Sequence, residues 1–222
     1  MNKFLKLACV ITLGFASVTP CFAGFKEHFD LGQQYLSNYQ YSGAITEFKS
    51  ALKINYLDNS ARIGLVNSYL ARGTYYANND KDYKKAADDY RAALFYLVYY
   101  PTANQVKNSS QAIVQVSSNL NQCLNEISFD TSAQNRFNTA KQLRAEGNFA
   151  AAAYEFNQAL SDTSLLKESF QQTGDIMKLL GNDNKAVEYY RKAVSVAPND
   201  IQLRLSYANM LDKLGQEEAA VE

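Results

Sequence analysis

Residues 167–200 read KESFQQTGDIMKLLGNDNKAVEYYRKAVSVAPND, and this stretch decides the fold class. It carries an alanine, an aromatic residue four positions later and a second alanine three positions after that, namely Ala186, Tyr190 and Ala193. Gly174 lies twelve residues before the first of these alanines. Small residues at helical spacing let two antiparallel helices approach closely, while the large aromatic fills the space toward the next pair. The stretch therefore predicts a pair of packed helices.

The same triplet of alanine, aromatic and alanine recurs along the chain. Its other copies are Ala44, Phe48 and Ala51; Ala86, Tyr90 and Ala93; and Ala152, Phe156 and Ala159. A single helix pair cannot bury its apolar face alone, so successive pairs stack on one another. We therefore expect an all-α fold, an α-solenoid of antiparallel helix pairs.

This pattern resembles the tetratricopeptide repeat, whose unit has 34 residues. The resemblance implies a right-handed superhelix of helix pairs. In its register the copies are 25–58, about 59–100, 133–166 and 167–200, and a further copy starts at 201. The corresponding regions are 24–100 for the N-terminal repeats, 101–132 for an irregular segment and 133–222 for the C-terminal repeats. The second copy contains about eight extra residues, which we expect in an extended, exposed turn around 73–82.

Residues 101–132 lack the triplet, and two interpretations remain open. The segment is either an irregular helical spacer or a degenerate repeat, because apolar residues such as Leu120 and Leu124 recur at helical intervals. A bend is expected near 108–110. Cys123 lies among these apolar residues, so we expect it to be a buried, inert thiol.

Residues 1–23 have the pattern of a cleavable signal peptide. Lys3 and Lys6 precede a short apolar run, and Cys21-Phe22-Ala23 places small residues at a cleavage site before Gly24. A membrane anchor needs about 20 continuous apolar residues, whereas this run is interrupted at Ser17. The sequence thus predicts an exported protein, periplasmic or secreted, without a stable membrane span after cleavage.

Composition argues for a scaffold without reactive chemistry. Lys+Arg and Asp+Glu both total 22, so the formal net charge is zero and a nucleic-acid-binding surface is not expected. His28 is the only histidine, and it has no cysteine or second histidine near it in sequence. The adjacent pair Asp88-Asp89 is expected on a solvated face. We therefore predict no enzymatic activity, no metal site and no cofactor.

The resemblance implies that the first helix of each pair lines a concave groove that binds a protein or peptide segment. Carried over by register, the groove residues are Lys26, Phe29, Gln33, Ile63, Asn67, Leu70, Phe137, Lys141, Arg144, Gln171, Asp175 and Lys178. The N-terminal half of this set is comparatively apolar and the C-terminal half is basic. Phe29 and Gln33 replace the Lys and Asn with which one subset of the family binds C-terminal carboxylates, so binding of that type is not expected.

Two functions fit this sequence. The first is an exported adaptor that binds a segment of a cell-envelope protein in the groove. The alternative is a structural or assembly component that acts by self-association or edge contacts. The copy that starts at Ile201 has barely begun its second helix, so either the chain is part of a longer protein or this last helix is the cap of the array.

Overall fold

The computed structural model describes residues 20–99 and 106–215, with side chains for 24–98 and 110–215. These two stretches form ten α-helices and no strand. The helices are α1 Pro20–Ser37, α2 Tyr41–Ile54, α3 Asn59–Tyr75, α4 Tyr83–Tyr99, α5 Val106–Glu126, α6 Ala133–Ala145, α7 Phe149–Gln158, α8 Leu166–Leu179, α9 Asp183–Val196 and α10 Ile201–Lys213. Most of the predicted signal peptide, residues 1–19, lies outside the described residues.

Four helix pairs follow the predicted register, and the all-α fold class is confirmed. The pairs are α1 with α2, α3 with α4, α6 with α7, and α8 with α9, and α10 packs on α9. Every residue of the four alanine–aromatic–alanine triplets is buried, none with more than 3% of its surface exposed. The triplets therefore form the core between helices, as their spacing predicts.

Phe48 shows why small residues precede each aromatic. Its ring lies against Gly32 in α1 and Gly64 in α3. A Cβ atom added to Gly32 would lie 2.8 Å from Phe48 Cε1, and one added to Gly64 would lie 2.4 Å from Phe48 Cζ. Because both distances are far below van der Waals contact, only glycine allows α1 and α3 to approach this ring so closely.

The turns within three of the helix pairs share one backbone feature, a residue with positive φ two positions after the first helix. Gly147 and Gly181 both have φ of +78° after the first helix of their pairs, where a left-handed residue ends the helix. Tyr39 occupies the equivalent place after α1 with φ of +61°. Side chains with a Cβ disfavour this region, so Tyr39 is a strained position.

The extra residues of the second pair lengthen its first helix, which corrects the expected extended turn. The helix α3 continues to Tyr75, and a π-helical turn follows over Tyr76–Asp80. Two contacts hold the C-terminal part of α3 against α4. Gly73 lies against Asp89 and Tyr90, and Arg72 donates two hydrogen bonds, of 2.7 and 2.9 Å, to the Asp89 carboxylate.

The described part of the irregular segment is one helix and a turn. The helix α5 runs without interruption through 108–110, where the sequence suggested a bend. It packs against α4 through Val116, Leu120 and Leu124. Cys123 lies in the same buried face, which confirms the expected buried thiol.

The two halves of the array meet through second helices. Besides α3 and α5, α4 packs extensively against α7. In a regular array the next first helix, α6, would occupy the position beside α4. Here α7, the second helix of its pair, packs against α4 instead. The row formed by the first helices of successive pairs is therefore interrupted between α3 and α6.

A buried ionic network fixes this junction. Glu155 of α7 is fully buried and accepts hydrogen bonds from Arg91 of α4 at 2.5 Å and from Arg136 of α6 at 2.9 Å. Arg91, only 2% exposed, also donates to Asp88 at 2.9 Å. The Phe129 ring lies against both guanidinium groups, with its centroid 5.1 Å from Arg91 Cζ and 5.8 Å from Arg136 Cζ. The network thus joins α4, α6 and α7.

Candidate functional site

A cleft of about 340 Å³ lies where the two halves face each other. One wall comes from α2, the turn after it, α3 and α4, and the other comes from the start of α7, the end of α8 and the turns beside them. The lining residues are Lys49, Leu52, Lys53, Tyr56, Arg62, Tyr96, Gly147, Phe149, Ala150, Leu179, Leu180 and Asn182.

The periodicity of α2 explains how one helix serves both core and cleft. Lys49, Leu52, Lys53 and Tyr56 are spaced by three, one and three residues, so they share one side of the helix and of the turn that follows it. The core triplet of α2, which includes Phe48, takes another side. The stripe of residues 49–56 therefore faces the second half of the molecule.

Both halves contribute apolar surface to the cleft. Leu52 and Tyr96 come from the N-terminal half, and Phe149 and Leu179 come from the C-terminal half. Tyr96 is buried, whereas Leu179 is 58% exposed and Tyr56, near the rim, is 37% exposed. Aliphatic and aromatic side chains that remain this accessible beside a concavity favour binding of an apolar group.

Three cationic side chains line the same cleft. Arg62 is buried, and its Nη2 donates to the backbone oxygen of Tyr56 at 2.8 Å. Lys49 is half-buried, with its Nζ 5.7 Å from the centroid of the Tyr69 ring. Burial lowers the pKa of Lys49, the charge of Arg72 lowers it further, and Asp89 acts in the opposite direction. No carboxylate is among the described residues that line the cleft.

The predicted basic half of the groove is largely engaged within the molecule. Lys141 Nζ lies 3.9 Å from a Glu168 oxygen. Arg144 donates to Gln172 at 2.7 Å, and its Nη2 lies 3.7 Å from Asp175. Asp175 also accepts a 2.6 Å hydrogen bond from Tyr190, whose pKa is raised mainly by burial and also by this carboxylate. The structure thus brings Lys141, Arg144 and Asp175 together across α6 and α8, as a balanced ionic surface. Of the other residues predicted here, Gln171 is half-buried and Lys178 is exposed.

The predicted apolar half lies on α1 and α3, which contact each other. Phe29 packs edge-on against Phe48 with ring centroids 5.9 Å apart, so it belongs partly to the core. Ile63 is 37% exposed and Leu70 is half-buried, while Gln33, Asn67 and Lys26 are exposed. Lys26 pairs with Asp30 at 2.6 Å.

One predicted groove residue is not on a surface. Phe137 is only 4% exposed and packs against Phe156 with ring centroids 5.4 Å apart. Its assignment to the groove is therefore wrong, because the side chain fills the space between α6 and α7.

Other polar residues of the sequence take structural positions. His28 Nδ1 lies 2.6 Å from Glu47, so it links α1 to α2. Asp89 is buried against Arg72, and Asp88 is largely buried beside Arg91, which corrects the expected solvated face. Within the described residues there is no group of three or more His, Cys, Asp or Glu side chains that could hold a metal ion. In the same part of the chain, no helix has the length and hydropathy needed to cross a bilayer.

The cleft and the α4–α7 junction were not predicted from the sequence, although a sequence pattern indicates each of them. The stripe Lys49, Leu52, Lys53 is amphipathic on a side of α2 that the core does not use. Glu155 stands between buried alanines and Phe156, where a charge requires a buried partner.

One family model and a number of solved structures match the chain. The tetratricopeptide repeat model matches residues 168–200. Many solved structures are similar to the chain, and three of them follow. The MamA protein is 17% identical, its alignment covers 89% of this chain and 86% of that chain, and the TM-score is 0.39. The thermophilic TPR protein TTC0263 of Thermus thermophilus is 21% identical, with coverages of 84% and 98% and a TM-score of 0.34. PilW, a type IV pilus biogenesis factor, is 17% identical, with both coverages 89% and a TM-score of 0.38.

No curated protein matches the chain significantly. The TM-scores of the solved structures are too low to carry an argument about function. The matched repeat at 168–200 is the pair α8–α9, and three further pairs bury the same triplet of small and aromatic residues. The chain therefore carries a tetratricopeptide repeat at 168–200, stacked with three further helix pairs that bury the same triplet.

Proposed function

We propose that this protein is an exported adaptor that binds a segment of another cell-envelope protein in the cleft between its two halves. The observation that carries the proposal is the cleft itself, in which α2, α7 and α8 contribute accessible apolar or cationic side chains around the buried Tyr96 of α4. A site built from both halves depends on the α4–α7 junction, which gives the buried network a functional role.

The chemistry of the lining favours binding over catalysis. The described lining residues offer aromatic faces, aliphatic groups and cations, and they include no serine, cysteine, histidine or carboxylate. Nucleophilic catalysis needs a nucleophile beside a base, whereas peptide recognition needs apolar pockets with a few oriented polar groups.

Site-specific photo-crosslinking in the native cell tests the site. A photoreactive amino acid at position 53 or 179, both in the cleft, should capture the same partner. One at position 114, exposed on α5 and outside the cleft lining, should not. With that partner purified, Leu179→Asp should weaken binding at least tenfold at unchanged helical content. Equal capture at position 114, or an unchanged affinity of Leu179→Asp, would contradict the proposal.

The exported location is supported by the charge and apolar pattern of residues 1–23. N-terminal sequencing of protein recovered from the periplasmic or culture fraction checks it. A mature N-terminus near Gly24 is expected, and exported protein that still begins at Met1 would contradict cleavage.

An assembly function is the second candidate, favoured by an apolar strip beside the last described helix. Val196, Ile201 and Leu205 are 42%, 77% and 53% exposed, and the last two lie one turn apart on α10. Self-association through this strip predicts a concentration-dependent mass in light scattering that Leu205→Asp reduces to the monomer. A monomeric mass at all concentrations would rule the strip out as a self-association surface.

A further inference from the structure

We infer that the segment bound in the cleft is acidic, with two carboxylates beside one large apolar side chain. This inference rests on the proposed function and adds the chemistry of the ligand. It follows from charge complementarity, from the environment of Lys49 and from the apolar walls.

The cleft has uncompensated positive charge. Lys49 and Lys53 lie one turn apart on α2, and neither makes a salt bridge within the described residues. Several lysines elsewhere do pair, as Lys167 does with Asp200 at 2.9 Å and Lys213 with Asp183 at 2.6 Å. Since the described lining contains no carboxylate, the complementary ligand is an anion.

Lys49 is the cation that benefits most from an added carboxylate. It is half-buried, and Arg72 contributes a like charge nearby. The acidic group that acts on Lys49, Asp89, is already engaged through both of its oxygens by Arg72. A ligand carboxylate at Lys49 would therefore neutralise a charge that the fold itself leaves poorly compensated.

The spacing of the lysines indicates how the ligand carboxylates are arranged. Four residues, about one helical turn, separate Lys49 from Lys53, a rise of about 6 Å along the axis. In an extended peptide, side chains two residues apart point to the same side and are separated by about 6.7 Å. Flexible lysine side chains easily span this difference, so the pattern expected is acid–any residue–acid.

The apolar walls supply the third element of the ligand. Leu52, Phe149 and Leu179 border a volume that accommodates one large side chain such as Leu or Phe. Burial of this anchor should provide most of the affinity. The charge contacts should mainly determine orientation and the rate of association.

A peptide fits these features better than a fatty acid, which also combines an apolar part with a carboxylate. A fatty acid carries one carboxylate and leaves the second lysine uncompensated. Binding measurements with peptides and with oleate distinguish the two ligand classes.

The test compares two fluorescein-labelled peptide libraries by anisotropy with the purified chain. In the first, each peptide has Glu, any residue, Glu, and then Leu or Phe within randomised flanks, and in the second both Glu residues are Gln. We expect the acidic library to bind at least tenfold more tightly. The double variant Lys49→Gln/Lys53→Gln should remove this preference. The control Lys81→Gln/Lys84→Gln, with the same change in net charge outside the cleft lining, should preserve it.

Each alternative result of these measurements would contradict a specific part of the inference or of the proposed function. Equal binding of both libraries that Leu179→Asp abolishes would overturn the acidic preference and leave the proposed function intact. Binding of oleate at the cleft with no binding of either library would replace the peptide by a lipid. An acidic preference that survives Lys49→Gln/Lys53→Gln would place the anion site elsewhere. No binding of any probe at millimolar concentration would contradict both the inference and the proposed cleft. Circular dichroism of each variant confirms that it is folded.

Discussion

Replacement of Glu155 by Gln should destabilise the protein more than any exposed charge substitution. Glu155 is fully buried and is the common acceptor for Arg91 and Arg136. The substitution preserves size and removes the charge. Arg91 then retains one carboxylate partner, Asp88, and Arg136 loses its carboxylate partner next to Phe129.

The expected loss follows from the burial of these groups. Arg91 is 2% exposed and the Arg136 side chain 16%, so water cannot replace the missing anion fully. Removal of one partner from a buried ion pair typically costs about 3–5 kcal/mol. Domains have total stabilities of about 5–15 kcal/mol, so Glu155→Gln should remove a large share.

Urea denaturation followed by circular dichroism measures this effect. With a urea m value of about 1–3 kcal/mol/M, the midpoint should fall by more than 1 M. The matched control is Glu168→Gln, because Glu168 lies 3.9 Å from Lys141 in a half-exposed pair that contributes about 0–1 kcal/mol. The quadruple variant Asp88→Asn/Arg91→Met/Arg136→Met/Glu155→Leu should recover much of the loss, since no buried charge of the network is stranded. A loss from Glu155→Gln no larger than that of the control would refute the reasoning.

Three further predictions concern pH, backbone strain and packing. Burial raises the pKa of Asp88 to about 6 despite its contact with Arg91. Because the folded state therefore binds a proton more readily than the unfolded state, the free energy of unfolding should rise by about 1 kcal/mol as the pH falls from 7 to 5. Comparison with Asp88→Asn over the same range tests this, since the variant should lack the increase, and parallel pH profiles would contradict it. Tyr39→Gly should relieve the strain at φ of +61° and raise the free energy of unfolding by about 1 kcal/mol, seen as a higher melting temperature. A lower melting temperature would show that the tyrosine side chain stabilises the fold by more than its backbone strain costs. Gly64→Ala should cost about 1–3 kcal/mol because its Cβ would lie 2.4 Å from Phe48; if Phe48→Leu does not partly restore stability in the double variant, the clash is not the cause.

The helix pairs could be predicted because their determinants are local and periodic. The triplet around Phe48 or Tyr190 brings together residues within one helix, and the partner glycine lies only 16 positions earlier. The same periodicity did not predict the length of α3, because Asn and Asp near residue 80 favour turns by propensity. Tertiary contacts of Arg72 and Gly73 with α4 outweigh that preference.

The candidate site was harder to predict because its walls are distant in sequence. Lys49 and Leu179 are separated by more than three repeats, and their proximity depends on the α4–α7 contact. An isolated amphipathic stripe such as Lys49, Leu52 and Lys53 is usually a solvated face. The balanced surface at Lys141 and Arg144 depends on acidic residues of the next repeat, so the pairing could have been sought in the 34-residue register.

The contact between α4 and α7 has a consequence for the order in which the chain folds. Solenoids form contacts between neighbouring repeats and can fold from any point along the chain. Here Arg91 and Glu155 are 64 positions apart, whereas Arg72 and Asp89 are 17 apart. Closing the larger loop costs about 1 kcal/mol more in chain entropy, and such non-local contacts slow folding. The N-terminal and C-terminal arrays should therefore form first, and the contact between α4 and α7 should form last. Once this contact has formed, we expect the native protein to unfold in a single cooperative transition.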